Sequence, residues 1–364
     1  MLYKEYGKTG KKISVIGFGG MRFVKSGDSY DFDQCAEVVR KANELGINYF
    51  DTAPYYCEDR SEDIMGLAFK KMPKEFYVST KCSEKNGSKL RASLEKSLKR
   101  LGIPKINFFH IWCILTLDDY KSRMVKGGAY EAALKAKEEG LIEHIVFSTH
   151  CNGDEIETIV KDGCFEGVTL GYNILNFPFR QKGLEAAYKH GLGVATMNPL
   201  SGGLIPQKSE YFDFIRGKED ASVVNAALRF NGSQKEITTV LAGMGTLEEV
   251  LENVKVGERM QEFSETKIKE IESKLFSSMD KLCTGCRYCE HCPQELSVSK
   301  YMIAYNQQIL GSSQEGSNWM KWHWGMPVEG VKNCIECGLC ENKCTQHLPI
   351  MERLKEMSGW PAPV

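Results

Sequence analysis

The amino-acid sequence predicts a (β/α)8 barrel followed by a small cysteine-rich domain. Eight short strand-like segments alternate with helix-like segments between residues 13 and 245. Eight of the 14 cysteines are packed into residues 283–344, whereas the other six are scattered through the preceding chain. These observations divide the chain into a barrel at residues 1–263, a linker helix at 264–282 and the cysteine-rich domain at 283–364.

The strand-like segments are short runs rich in β-branched and aromatic residues. In chain order they read ISVIGFG, INYFDTA, FYVSTK, INFFHIW, HIVFST, GVTLGYN, LGVATM and TTVLAG. Two of the intervening helix-like segments, DQCAEVVRKANELG and KLRASLEKSLKRLG, end in the glycine that is typical of a helix C-terminus. An open doubly wound sheet is the alternative. It is disfavoured because the alternation continues evenly to eight and no G-x-G-x-x-G follows the first strand.

The composition argues against several classes of partner. Of the 364 residues, 42% are hydrophobic, and 47 Lys and Arg nearly balance 48 Asp and Glu, so we expect no nucleic-acid or membrane partner. The first residues, MLYKEYGKTGKKIS, lack the apolar core of a signal peptide, and no run of 18 apolar residues occurs. We therefore expect a cytoplasmic protein whose clustered cysteines bind metal rather than form disulfides.

Chemistry in such a barrel takes place at the carboxyl ends of the strands. Tyr56 lies on the loop after the second strand, close to Asp51. A lysine ammonium beside Tyr56 would lower the tyrosine pKa from its usual ~10, and an aspartate would hold that lysine charged. The sequence therefore predicts a proton-donating site, with a surface ion pair as the alternative. The residues at the strand ends are Asp51, Lys81, Trp112, Ser148, Asn173 and Met197.

Five motifs of the barrel resemble those of the aldo-keto reductase family. They are FDTAPYY (50–56), SEDIMG (61–66), VSTK (78–81), PLSGG (199–203) and GMGTLEEVLEN (243–253). The resemblance covers residues 1 to about 260, in the expected order. It implies a (β/α)8 barrel that binds a nicotinamide cofactor without a Rossmann motif. It also implies that Tyr56 is the proton donor and that Lys81 and Asp51 tune it.

The stretch INFFHIWCIL, residues 106–115, departs from the family pattern. Where the family has its fourth catalytic residue, a histidine, this chain has Trp112. An indole has one N–H donor and no acceptor, so we expect Trp112 to orient a substrate oxygen or to wall the pocket. His110 lies on the same strand face, about 6.6 Å deeper, and is either catalytic or a buried core histidine. We expect Cys113 to face the helices and to serve packing.

The resemblance further implies a nicotinamide dinucleotide site. Ser148 would hold the carboxamide, and backbone amides of residues 200–204 and 243–246 would bind the phosphates. Thr149, Thr169 and Met197 differ from the residues that are frequent at these positions. No Lys or Arg near 243–253 is available for a 2′-phosphate, so NADPH and NADH both stay open. The implied cofactor residues are Gly20, Ser148, Thr149, Thr169, Met197, Pro199, Leu200, Ser201, Gly203, Gly243, Met244, Gly245, Thr246, Glu252 and Asn253.

Two cysteine runs in the C-terminal domain predict two [4Fe–4S] clusters. CTGCRYCEHCP (283–293) and CIECGLCENKCT (334–345) look like copies of one motif, and the second has the C-x2-C-x2-C-x3-C spacing of bacterial ferredoxins. Zinc is the alternative, but zinc sites usually use two separated pairs of ligands. If the fourth cysteine of each run serves the other cluster, the ligand sets are Cys283, Cys286, Cys289 and Cys344, and Cys334, Cys337, Cys340 and Cys292.

The full layout resembles the iron–sulfur branch of the aldo-keto reductases, and two main functions follow from it. The first is reduction of a carbonyl-like small molecule by NAD(P)H, with the clusters serving electron transfer or structure. The second is an electron-transfer protein whose clusters exchange single electrons with a ferredoxin or flavoprotein. A barrel that has lost catalysis is a third interpretation. Nicotinamide gives up two electrons together and a cluster takes one, so a flavin carrier is not excluded.

Overall fold

The computed structural model describes residues 1–278, 282–283, 289–344 and 347–364. The chain forms two compact units, each with its own core. The first unit comprises Met1–Ile174, Arg180–Pro199 and Lys218–Phe263. The second comprises Leu175–Phe179, Leu200–Gly217 and Ser264–Val364.

The first unit contains a closed barrel of eight parallel strands, which we number β1 to β8 in chain order. Each strand pairs with the next along the chain, and β8 pairs with β1, so the barrel has no free edge. The predicted (β/α)8 barrel is confirmed. The strands are β1 (Ile16–Gly19), β2 (Tyr49–Asp51), β3 (Tyr77–Cys82), β4 (Ile106–Ile114), β5 (Ile142–Thr149), β6 (Gly167–Gly171), β7 (Gly193–Met197) and β8 (Thr239–Gly243).

Helices connect the strands, and two antiparallel hairpins, Tyr3–Glu5 with Lys12–Ser14 and Lys25–Ser26 with Ser29–Tyr30, flank β1. The helix Gly87–Leu101 begins at the Asn86 side-chain cap and ends at Gly102, whose φ of 65° explains why glycine stands there. The other helices between the strands are Phe32–Glu44, Tyr56–Asp59, Ser61–Phe69, Leu117–Arg123, Ala129–Glu138, Gly153–Lys161, Phe177–Lys189 and Val223–Gly232, and Leu247–Glu258 follows β8.

A plug of aromatic side chains closes the amino-terminal end of the barrel and fixes which residues face inward. Tyr6 is fully buried and packs against Tyr49 and Phe108 at ring-centroid distances of 6.0 and 4.5 Å. A Cβ on Gly193 would lie 1.9 Å from the Tyr6 ring, so β7 needs a glycine there. Because side chains alternate along a strand, an inward Phe108 places His110 and Trp112 on the lumen side of β4.

The second unit has its own buried core, which includes Cys289 and Cys340 among apolar side chains such as Met302 and Leu354. Within the described ranges, no helix in either unit is long and apolar enough to cross a membrane. The helices of the second unit are Leu204–Gln207, Ser209–Phe212, Glu265–Ser278, Val298–Leu310, Ser313–Trp324, Leu339–Asn342 and Ile350–Met357, with 3-10 turns at Ser201–Gly203, Asp213–Ile215 and Val328–Asn333.

Candidate functional site

Asp51 and Lys81 form a buried ion pair at the carboxyl ends of β2 and β3. Lys81 Nζ donates to Asp51 Oδ1 at 2.5 Å and to the Thr52 carbonyl oxygen at 2.8 Å. Burial lowers the pKa of Lys81, and the Asp51 carboxylate opposes that shift. The ammonium is therefore anchored at a defined point of the barrel mouth, as the sequence predicted for this pair.

Tyr56 stands beside this pair on a loop with unusual backbone. Its neighbours Tyr55, Cys57, Glu58 and Asp59 have φ values of 71°, 52°, 56° and 62°, in the left-handed region that non-glycine residues rarely adopt. Arg100 stabilises the loop because its Nη1 donates to Asp59 Oδ1 at 2.6 Å. The Tyr56 ring centroid lies 5.6 Å from Lys81 Nζ. The loop thus brings the phenol ring next to the buried ammonium.

The predicted lowering of the Tyr56 pKa is wrong for this arrangement. Burial raises the pKa of Tyr56 above its usual value, and the charges of Asp51, Cys113 and Cys57 add to the rise. Lys81 Nζ donates its hydrogen bonds to Asp51 and to the Thr52 carbonyl oxygen. Among the described residues, Lys81 and the Tyr56 hydroxyl share no hydrogen bond. The environment therefore keeps Tyr56 a neutral phenol, and the proton that a donor needs stays on the oxygen.

A second buried hydrogen-bond chain extends from Asp51 into the lumen. Ser79 Oγ donates to Asp51 Oδ1 at 2.7 Å and lies 3.2 Å from His110 Nδ1. His110 Nε2 in turn lies 2.7 Å from Thr169 Oγ1. Burial, and then the nearby Lys81 charge, hold the pKa of His110 well below its usual value, so the imidazole is neutral. Sequence reasoning missed Ser79, although alternation places it on the same face as Lys81.

Strand β4 is irregular at Trp112 and Cys113. The pairing of β4 with β5 shifts register between Ile111 and Ile114, and Cys113 has a φ of 61°. Trp112 packs edge-on against Tyr56, with ring centroids 5.9 Å apart at 82°. Cys113 is partly exposed, and its charge contributes to the raised pKa of Tyr56. That Cys113 faces the helices stays a prediction.

The residues implied for the nicotinamide end lie on β5, β6 and β7. Ser148 is buried, and its Oγ accepts the Cys113 backbone N–H at 2.9 Å. Thr149 Oγ1 donates to the Ile114 carbonyl at 2.9 Å, so this hydroxyl holds β4 against β5. Met197 ends β7, is partly exposed, and packs against the inner core. Ser148 and Met197 thus remain at the mouth, while Thr149 and Thr169 already serve internal hydrogen bonds.

The loop after β8 contains the amides expected to bind phosphate. The backbone N–H groups of Gly245 and Thr246 donate to Glu249 Oε2 at 2.7 and 3.3 Å, within a capping box of the helix Leu247–Glu258. A phosphate at these two amides would have to displace that carboxylate. Sequence reasoning also missed Arg22, whose Cγ would lie 2.4 Å from a Cβ on Gly243. The fold therefore brings Arg22, which follows β1, next to the loop after β8.

The remaining implied cofactor residues are distributed between the two units. Gly20, after β1, would place a Cβ 2.7 Å from both Met65 and Ser61, so it permits close packing of the neighbouring helix. Glu252 is exposed, and its Oε1 accepts from Ser222 and Asn225. Met244, Asn253 and Pro199 are buried in the first unit. Leu200, Ser201 and Gly203 belong to the second unit.

Comparison with known proteins gives the barrel its family. A family model described as the aldo/keto reductase family matches residues 15–275, well over half of the chain. This chain belongs to the aldo/keto reductase family. The chain is 28% identical to L-galactose dehydrogenase of Arabidopsis thaliana over 287 residues, which cover 69% of this chain and 86% of that protein. The protein is accordingly an oxidoreductase.

Two further comparisons agree with this family. The chain is 28% identical to NADH-specific methylglyoxal reductase of Escherichia coli (strain K12) over 225 residues. This alignment covers 55% of this chain and 67% of that protein. Among solved structures, the holo form of the aldo-keto reductase AKR11C1 from Bacillus halodurans has a TM-score of 0.64 at 20% identity, covering 75% of this chain and 96% of that one. At that identity the structural likeness shows the fold alone.

The second unit of the reductase gathers cysteines from both runs. A small pocket is lined by Cys292 of the first run and by three cysteines of the second. Within the described residues, no three His, Cys, Asp or Glu side chains lie close enough to hold a single metal ion. Four cysteine thiols that line one pocket suit a [4Fe–4S] cluster, because such a cluster takes four cysteine ligands. The three second-run cysteines are Cys334, Cys337 and Cys340.

The other predicted ligand set is described in part, because Cys286 lies outside the described residues. Cys283 is held through its backbone, whose N–H donates to Asn306 Oδ1 at 2.7 Å while its carbonyl accepts from Asn306 Nδ2 at 2.8 Å. Cys344 Sγ accepts the Leu348 N–H at 3.4 Å, and Cys289 is buried in the core. A family model described as a 4Fe–4S dicluster domain matches residues 282–349. The iron–sulfur prediction is thereby confirmed.

Proposed function

We propose that this reductase transfers a hydride from a nicotinamide cofactor to the carbonyl carbon of a small molecule, with Tyr56 as proton donor. The observation that carries the proposal is the buried Lys81–Asp51 pair next to the Tyr56 ring at the barrel mouth. Two relatives support it by their names, a dehydrogenase of L-galactose and a methylglyoxal reductase specific for NADH. Both names describe redox chemistry of small polar molecules.

In this proposal each residue of the mouth has a distinct task. NAD(P)H, when bound, supplies the hydride. Tyr56 delivers the proton to the oxygen that becomes a hydroxyl, because its raised pKa keeps the phenol protonated at neutral pH. The Lys81 ammonium, held by Asp51, stabilises the phenolate that remains after proton transfer. Ser148 and Met197 are the residues that would hold the nicotinamide ring, and Trp112 would form a wall of the substrate pocket.

The site for the dinucleotide is also part of the proposal. The Arg22 side chain packs against Gly243, so it brings a positive charge close to the loop after β8. Its presence supports NADPH, and NADH stays a candidate. Glu249 has to leave the amides of Gly245 and Thr246 for a phosphate to bind there. Whether the reductase discriminates between the two cofactors depends on these few side chains.

A second function is favoured by the surface around the second cysteine run. Cys337 is exposed, and its neighbours Ile335 and Leu339 expose 58% and 51% of their surface. An exposed cluster edge framed by apolar side chains suits single-electron exchange with a ferredoxin or flavoprotein. In that case the clusters of the second unit are the working redox centres. The barrel then serves as a platform that binds the substrate or the redox partner.

An anaerobic titration of the iron-replete protein with NADH, and then with NADPH, separates these functions. We expect the nicotinamide fluorescence to report binding while the visible absorption and EPR spectra of the clusters stay unchanged, because a hydride carries two electrons and a cluster accepts one. Cluster reduction by nicotinamide would join both redox systems in one path and require a flavin or substrate carrier between them. Absence of binding would rule out the hydride proposal and favour the electron-transfer function.

Replacement of Trp112 by histidine is expected to increase the turnover of simple aldehydes roughly tenfold, since an imidazole both donates and accepts protons. Trp112 is partly exposed and contacts Tyr56 edge-on, so a smaller ring is tolerated and remains near the phenol. The measurement is steady-state reduction of methylglyoxal with NADH. Trp112→Phe is the matched control, since it keeps an aromatic ring without polar atoms. Equal activities of the two variants would contradict the expected effect.

A further inference from the structure

A partly buried arginine at the top of the barrel, Arg180, has no carboxylate partner among the described residues. Arg180 Nη1 donates to the Gly171 carbonyl, and Nη2 donates to the His150 carbonyl at 3.3 Å. Gly171 ends β6, and His150 directly follows β5. The His150 backbone N–H donates to the Ile114 carbonyl at 3.2 Å, so the same corner includes the end of β4. Three consecutive strands therefore converge on this guanidinium.

The guanidinium lies on the lumen side of these strands. Thr169 points inward, because its hydroxyl contacts His110, and Gly167 does so too, because a Cβ there would meet the Tyr6 ring at 2.5 Å. Alternation then gives Gly171 the same direction. A Cβ on Gly171 would lie 2.6 Å from Arg180 Nη1 and 3.6 Å from His150 Nδ1. Arg180 thus occupies the space that the missing Gly171 side chain leaves free, one layer above His110.

Among the described residues, no acidic side chain pairs with the charge of Arg180. Burial lowers the pKa of Arg180 to about 10, and in the described part of the chain the Cys151 thiol opposes that shift. Among the described residues, no carboxylate lies within ion-pair distance of this guanidinium. A charge that is partly removed from water is ordinarily paired, because desolvation of an unpaired charge is unfavourable. Two of the five N–H groups donate to backbone carbonyls, which leaves donors to offer to a ligand.

We propose that Arg180 binds a carboxylate of the substrate, so that the substrates of the reductase are carbonyl compounds with a carboxylate group. A planar guanidinium matches a carboxylate in geometry and in single charge. The arginine lies at the strand ends where barrel enzymes bind their substrates. The reaction in this proposal rests on the proposed carbonyl reduction. The binding of a carboxylate by Arg180 does not depend on that reaction.

The first test measures binding without chemistry. Isothermal titration of the full-length, iron-replete protein with benzoate, benzamide and inorganic phosphate is carried out on wild type, Arg180→Met and Lys182→Met. Lys182 is the matched control, because it lies on the same helix and its ammonium bonds Asp154 at 2.6 Å on the solvent side. We expect benzoate to bind roughly tenfold more tightly than benzamide in wild type and in Lys182→Met, and this preference to vanish in Arg180→Met.

The second test uses turnover of a matched substrate pair, 4-carboxybenzaldehyde and methyl 4-formylbenzoate, with NADH or NADPH. In Arg180→Met the KM of the acid is expected to rise about tenfold while the ester is unaffected. If neither aldehyde reacts but the benzoate preference depends on Arg180, the anion site stands and the proposed reduction fails. Equal binding of benzoate and benzamide in wild type would overturn the assignment, and a preference for phosphate would reassign the site to a phosphorylated ligand. Arg180→Lys keeps the charge and tests the assignment if Arg180→Met does not fold.

Discussion

Replacement of Tyr56 by phenylalanine is expected to lower kcat/KM for carbonyl substrates by about 10²–10⁴-fold, the range for loss of a general acid. The change removes one oxygen from a ring that lies 5.6 Å from Lys81 Nζ and 5.9 Å from the Trp112 ring. The measurement is steady-state reduction of methylglyoxal, with nicotinamide binding followed in parallel by fluorescence. We expect binding to be unchanged, because the lost hydroxyl serves proton transfer and not cofactor affinity.

Tyr55→Phe is the matched control for this prediction. Tyr55 loses the same oxygen one residue earlier in the same loop, but its side chain is 71% exposed. We expect that variant to keep wild-type turnover. Similar losses in both variants would assign the effect to the strained loop instead of to the Tyr56 hydroxyl. Full activity of Tyr56→Phe would contradict the proton-donor role and leave the electron-transfer function as the better account of the protein.

Replacement of Cys292 by alanine is expected to remove the cluster bound by the second cysteine run. Cys292 lines the same cavity as Cys334, Cys337 and Cys340, although it lies 42 positions before the first of them. Loss of one of four thiolates should release that cluster and roughly half of the iron, while the other cluster stays bound. Iron analysis and EPR of the reduced, anaerobic protein measure both quantities.

A double variant makes the test of shared ligation sharper. If Cys292 and Cys337 bind one cluster, Cys292→Ala, Cys337→Ala and the combination all lose the same iron, because the second change has nothing further to remove. If the two cysteines serve different clusters, the double variant loses nearly all of its iron. Cys164→Ala, a partly exposed cysteine outside both runs, is the control and should keep the full content.

Patterns that act locally were predictable from the sequence. Alternating strand and helix segments predict the barrel, because each segment buries its own face, and the structure confirms eight parallel strands in sequential order. The spacing of the cysteine runs predicts iron–sulfur binding, and a dicluster model matches there. Asp51 and Lys81 were expected at neighbouring strand ends, and they form a 2.5 Å pair. In each case a short stretch carries the information.

Contacts between distant segments that no motif signals were not predictable. Arg22 meets the loop after β8 only because barrel closure pairs β8 with β1. The pairing of β4 with β5 shifts register between Ile111 and Ile114, an irregularity that strict alternation does not predict. The sign of the Tyr56 pKa shift was missed for a related reason. The direction of that shift depends on how far the fold buries Tyr56 and on which groups accept hydrogen bonds from Lys81. A sequence motif gives neither.

The sequence by itself determined the (β/α)8 barrel and the iron–sulfur domain, because periodicity and ligand spacing are properties of neighbouring residues. The resemblance to the aldo-keto reductases came from five short motifs. Only the tertiary structure decided what surrounds the candidate chemistry. It linked Ser79 and His110 to Asp51, and it placed the Arg180 guanidinium where Gly171 has no side chain. Burial and close approach set charge, protonation and ligand geometry, and both arise only when the chain closes on itself.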